Sequence, residues 1–194
     1  MKRSVVCALA LFVCSACMQD MQRSLMPSGG NNLTGPGTTS FTVPISSSSA
    51  PANFGTHASG DHEVPPRDTR AQGQAIFQLS RDGTELSYRL IASNIENVVA
   101  SHIHVGAAGT NGPIVTFLFG NVPPGGGRTD GVLATGTITA ANLIGPLTGQ
   151  PLSALIDAIE AGNAYVNVHT NDGVDPTNTG PGDFPGGEIR GQLP

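Results

Sequence analysis

Three histidines carry most of the chemistry this chain has to offer. His102 and His104 stand two residues apart in Ser101-His102-Ile103-His104-Val105, and His169 ends the run Tyr165-Val166-Asn167-Val168-His169. In an extended strand alternate side chains leave the same face, so His102 and His104 project to one side together with Ala100. By the same parity Tyr165, Asn167 and His169 oppose Val166 and Val168. Glu188, Arg190 and Gln192 likewise oppose Ile189, Gly191 and Leu193. Where these segments are neighbouring strands, His102, His104, Tyr165, Asn167, His169, Glu188 and Arg190 form one polar cluster.

Two chemistries fit that cluster. Imidazole suits copper and zinc, so His102, His104 and His169 are a candidate Cu or Zn site, with Glu188 as the carboxylate that fixes an imidazole tautomer. Alternatively Glu188, Arg190 and the imidazoles satisfy one another as a hydrogen-bonded network that sets strand register. The network ranks first, because only His57 and His62 remain as further histidines and neither lies on a paired-strand pattern. Other motifs offer less. Asp172, Asp175, Asn178 and Asp183 match no calcium-loop spacing and read as a solvated acidic loop. The Gly106–Gly112 stretch lacks the lysine and the following helix of a phosphate cradle. No nucleophile elbow surrounds any serine, and Glu63 has no carboxylate partner for glycosidase chemistry. The reading leans away from an enzyme and toward a binding or structural module.

The elements that must position these residues follow from composition and periodicity. Among 194 residues there are 26 Gly and 15 Pro, which favours turns over helix. All three cysteines, Cys7, Cys14 and Cys17, precede residue 18, so the remainder has no thiol nucleophile, thiolate ligand or internal disulfide. Lys2 and Arg3 followed by the apolar run Val5–Val13 read as an export signal over residues 1–16, too short to span a bilayer. Val13-Cys14-Ser15-Ala16-Cys17 resembles a bacterial lipobox, with Cys17 as the lipidated first residue of the mature chain. Met18 after that cysteine suits outer-membrane sorting in proteins of that kind. Residues 17–52, rich in Gly, Ser, Thr and Pro, read as a flexible tether. The expectation is therefore an exported lipoprotein of the outer membrane, periplasm or cell surface. Its partners are the membrane, through the anchor, and an unidentified protein or small ligand. Cleavage removes Lys2 and Arg3, leaving seven basic groups against 14 acidic ones, so nucleic acid is not an expected partner.

Residues 53–194 read as one β domain. Gln74–Leu79 and Leu86–Ala92 alternate around Arg81-Asp82-Gly83-Thr84, a hairpin signature. Further strands are expected over Val98–Val105, Ile114–Phe119, Val132–Thr139, Ala164–Thr170 and Glu188–Leu193. Leu152, Leu155, Ile156 and Ile159 recur at helical spacing, with Gly162 as the stop. The class expected is all-β, an antiparallel Greek-key sandwich or barrel with one short helix.

Four segments, in order, resemble the chordin-type CHRD domain. They are Gly60-Asp61-His62-Glu63-Val64-Pro65-Pro66, Ser101–Gly106 with Asn111-Gly112-Pro113, Ala161–Thr170, and Pro185–Leu193. The resemblance covers about residues 54–194 and implies an immunoglobulin-like barrel and an extracellular or envelope setting. In that family the His-Thr and Pro-Gly-Gly-Glu segments are normally a few residues apart. Here Asn171–Phe184 intervenes, which puts the geometry of that connection in question. The Cu,Zn superoxide dismutases also carry His-x-His on a Greek-key barrel, so redox chemistry of that kind accompanies the metal alternative. They use more ligands than this chain presents.

Overall fold

The structure, a computed structural model, describes residues 52–194. The export segment, Cys17 and most of the tether lie outside the described residues. Eight strands form: β1 (Asn53–Ser59), β2 (Gln72–Leu79), β3 (Leu86–Glu96), β4 (Val98–Val105), β5 (Ile114–Phe119), β6 (Arg128–Ile138), β7 (Ala164–Thr170) and β8 (Ile189–Gln192). One helix, α1 (Leu152–Glu160), precedes β7. The strands make a single antiparallel sheet in the order β5-β4-β7-β8-β1-β2-β3-β6, nearly closed into a barrel. Across the seam between β5 and β6, the Tyr88 hydroxyl of β3 donates to Leu118 O of β5 at 2.7 Å. The all-β barrel with one short helix is as expected.

Period-2 alternation puts the apolar rows inside. Ala75 and Phe77 of β2, Leu86 and Leu90 of β3, Ile103 of β4, Val166 and Val168 of β7 and Ile189 of β8 are all buried in one core. Asp82 shapes the β2–β3 turn by accepting from Ser80 Oγ and from both the amide and hydroxyl of Thr84. Helix α1 buries Leu152, Leu155, Ile156 and Ile159 against the barrel. It stops at Gly162, whose left-handed φ of 67° lets Gly162 N and Asn163 N reach back to the carbonyls of Ile159 and Ala158.

Three boundaries differ from the periodic reading. Strand β6 begins at Arg128 rather than Val132, because pairing with β3 continues to Glu96↔Arg128 past a bulge. Strand β8 is shorter than Glu188–Leu193. Strand β1 was not expected at all, since its only fully buried side chain is Ala58. It forms because β2 pairs with it along its whole length, from Asn53↔Gln78 to Ser59↔Gln72, while β8 meets its far end at Ser59↔Arg190. His57 therefore does sit on a paired strand, opposite Gln74.

Candidate functional site

The site is built on the outer face of β4, β7 and β8, which are adjacent in the sheet as the merged-face reading requires. Register sets the layout. His102 lies opposite Asn167, and Asn167 opposite Arg190, making one row across three strands. His104 pairs with Tyr165, and His169 with Ala100, on either side of that row. Ile103, Val166, Val168 and Ile189 point the other way into the core. An outer face is ordinarily wet, yet His102 is only 6% exposed, His104 7%, Asn167 3% and Arg190 1%.

Loops cover this face. The 106–113 loop is held by the Arg190 guanidinium, which donates to Ala107 O, Thr110 O and Asn111 Oδ1. Asn111 in turn donates to Val64 O, tying in the 60–71 segment, and Arg67 Nε donates to Gly187 O. Arg190 also lies 3.4 Å over the Tyr165 ring, and Tyr165 stacks on His104 at 4.7 Å between centroids and 8° between planes. Phe117, on β5, meets the His102 ring edge-on at 4.5 Å.

Backbone carbonyls decide the tautomers. His104 Nδ1 lies 2.8 Å from Gly112 O, and His169 Nδ1 lies 2.8 Å from Pro185 O. A carbonyl only accepts, so both Nδ1 atoms carry the proton and both Nε2 atoms present lone pairs. His169 Nε2 is 3.0 Å from His102 Nδ1 and 3.0 Å from Asn167 Oδ1. One ligand atom from each of the three imidazoles lies within 4.8 Å of the others. The Nε2 atoms of His102 and His104 are buried with no hydrogen-bond partner among the described residues. Burial is the main influence on all three rings and keeps them neutral. It pushes His102 down to about 3, reinforced by its His169 and His104 neighbours. His104 and His169 are lowered for the same reason, against the opposing pull of their carbonyl partners.

Glu188 does not join the imidazoles. Its carboxylate accepts from Thr69 Oγ1 at 2.6 Å, Thr170 Oγ1 at 2.7 Å and Gly182 N at 2.9 Å. The role of fixing imidazole tautomers, expected of Glu188, belongs instead to the carbonyls of Gly112 and Pro185. Glu188 sits just before β8 and is drawn toward the Asn171–Phe184 insertion, which it pins through Gly182 N while also holding Thr69. The insertion leaves the register undisturbed, since Glu188 N still bonds Val168 O. Nor is the insertion simply a solvated acidic loop. Asp183 is 2% exposed and accepts from the amide and hydroxyl of Thr179.

Several residues at the site escape sequence reasoning: Gly112 and Pro185 through their carbonyls, Phe117 against His102, and Glu63. Glu63 is 4% exposed, and burial raises its carboxyl above the usual range despite the nearby Arg190 and Arg67. Its packing demands Gly187, whose φ is 121° and where an added Cβ would overlap the Glu63 carboxyl oxygen. Glu63 follows a short 3-10 turn (Gly60–His62) with no periodicity, so only the surrounding Gly-Asp-His-Glu-Val-Pro-Pro segment marked it. His57 and His62 are exposed and stay outside the three-imidazole group.

The CHRD domain family matches the chain over residues 54–193. The chain belongs to that family. The segments that carry the likeness converge on this one outer face of the CHRD domain, as β4, β7, β8 and the turn that delivers Glu63. No curated protein and no solved structure matches the chain.

Proposed function

We propose that this protein is an exported, lipid-anchored CHRD module of the cell envelope that holds one copper or zinc ion between His102, His104 and His169. The carrying observation is the pair of committed Nδ1 protons on His104 and His169, which leaves a lone pair on each Nε2, together with the burial of His104 Nε2 and His102 Nε2 with no hydrogen-bond partner among the described residues. A protein that buried these imidazoles only for packing would leave polar atoms unsatisfied at a cost of about 1–3 kcal/mol each. Carbonyl acceptors on the far nitrogen are also the usual outer support of a metal-bound histidine. The export half of the reading rests on Lys2, Arg3, the apolar run and Cys17. The second reading, a metal-free binding or structural module, is favoured by the His102–His169 contact and the Arg190–Tyr165–His104 stack, which would order the face without an ion.

Elemental analysis of protein purified without added metal separates the two. One equivalent of copper or zinc is expected, and none in His104→Ala. Metal-free parent protein that also fails to take up Zn²⁺ or Cu²⁺ on titration would leave only the second reading.

A further inference from the structure

We infer that Asn167 supplies a fourth, oxygen ligand to the three-imidazole site, and that Glu63 is the positioning residue that turns the amide oxygen toward the ion. The inference rests on the proposed metal site and names how that site is completed. Asn167 stands at the centre of the face, opposite His102 on β4, two residues before His169 on β7, and diagonal to His104. Its Oδ1 is 3.0 Å from His169 Nε2. Because His169 Nδ1 has its proton on Pro185 O, the neutral ring and the amide oxygen face each other as two acceptors. Two lone pairs at that range repel unless a positive centre lies between them. Ligands about 2.0–2.1 Å from one zinc ion at tetrahedral angles are about 3.3–3.4 Å apart, so the 3.0 Å edge from His169 Nε2 to Asn167 Oδ1 needs little adjustment, while the imidazole ligand atoms, within 4.8 Å of one another, draw closer around the ion.

The other end of the amide supports the same orientation. Asn167 Nδ2 and the Glu63 carboxyl both crowd the position a Gly187 side chain would take, and the Asn167 amide is one of the groups that favour the Glu63 carboxylate. A carboxylate attracts the amide NH₂ and repels its oxygen, so Glu63 on one side leaves Oδ1 for the imidazoles on the other. Glu63 Oε1 is buried with no hydrogen-bond partner among the described residues, which leaves it as an unspent acceptor beside the Asn167 amide. An oxygen beside three imidazoles also hardens the site, favouring Zn²⁺ and Cu²⁺ over Cu⁺.

The test titrates the full-length protein with Zn²⁺ and Cu²⁺ and compares Asn167→Ala, Asn167→Asp, Glu63→Ala and Glu63→Gln. Asn167→Ala should weaken binding by about 10-fold or more and change the Cu²⁺ electron paramagnetic resonance spectrum, since a ligand is lost. Asn167→Asp keeps an oxygen and adds charge, so it should bind Zn²⁺ at least as tightly as the parent. Glu63→Ala should weaken binding without changing the number of ions bound, and Glu63→Gln, which retains an acceptor, should recover part of that loss. An Asn167→Ala protein with parental affinity and an unchanged Cu²⁺ spectrum would overturn the inference while leaving the metal site standing. If Asn167→Ala does not fold, weakened binding in Asn167→Asp is the overturning result. A parent protein that binds no ion overturns the metal reading itself, and this inference with it.

Discussion

At the scale of single residues, the site depends on which polar atoms are already spoken for. Gly112 O and Pro185 O occupy one nitrogen on each of two imidazoles, and that occupation leaves the other nitrogen aimed at the cluster. Glu188 looks equally central by parity but spends its carboxylate on Thr69, Thr170 and Gly182. It is a clamp for the covering loops. Glu188→Ala should therefore cost about 3 kcal/mol in unfolding free energy, because buried donors lose a charged acceptor. Glu188→Gln, which keeps one acceptor oxygen, should cost less. Denaturant melts of both variants check the order, and equal stability of Glu188→Ala and the parent would remove the clamp.

At the scale of elements, β4, β7 and β8 do two jobs with one alternation. Inward residues Ile103, Val166, Val168 and Ile189 fill the core, and outward residues make the site, so a one-residue slip in register would exchange the two sets. Helix α1 supports this arrangement by adding its apolar face to the same core. Leu155 and Ile159 are fully buried on its inner face, and the chain passes from Gly162 directly into β7. Leu155→Ala should lower stability by about 2–5 kcal/mol, the usual range for a buried leucine that leaves a cavity. Thermal unfolding measures it, and a loss well under that range would mean that the helix packs loosely and contributes little to holding β7.

At the scale of the whole molecule, an outer barrel face is made into an interior by loops from three parts of the chain. That burial sets the response to pH. The three imidazoles are held neutral in the folded protein, below the ordinary value near 6.5 that they regain on unfolding. The unfolded chain then binds protons that the folded one refuses. Metal-free protein should be most stable above about pH 6.5 and lose up to about 1.4 kcal/mol per pH unit for each such histidine as pH falls, continuing toward about 3 for His102. Melts from pH 8 to 4 on the parent and on a His102→Phe variant test this; identical slopes would remove His102 as a source. The expected anchor belongs to this scale as well. Cys17→Ser should move the protein from the membrane fraction to the soluble fraction, and unchanged partitioning would exclude lipid at that position.

Seven of the eight strands among the described residues, the helix, and the strand faces of His102, His104 and His169 were legible in the chain of letters. These features are local: side chains alternate every second residue in a strand, so parity can be read from a few consecutive letters. Parity put His102 and His104 on one face of their strand and His169 on the polar face of its own, and the adjacency of β4 and β7 in the sheet brings the three together. The remaining features arise only once the chain is folded. Strand β1 has too few apolar residues to announce itself and exists because β2 lies along its length and β8 meets its end. Gly112 and Pro185 reach the imidazoles from segments with no period, eight residues after His104 and 16 after His169, and Glu63 comes to the Asn167 amide from 104 residues before it. Glu188 went to Thr69, Thr170 and Gly182, whose hydroxyls and amide donate to its carboxylate. Contacts of this kind depend on where closed loops land on the barrel, and no repeat in the chain encodes that position.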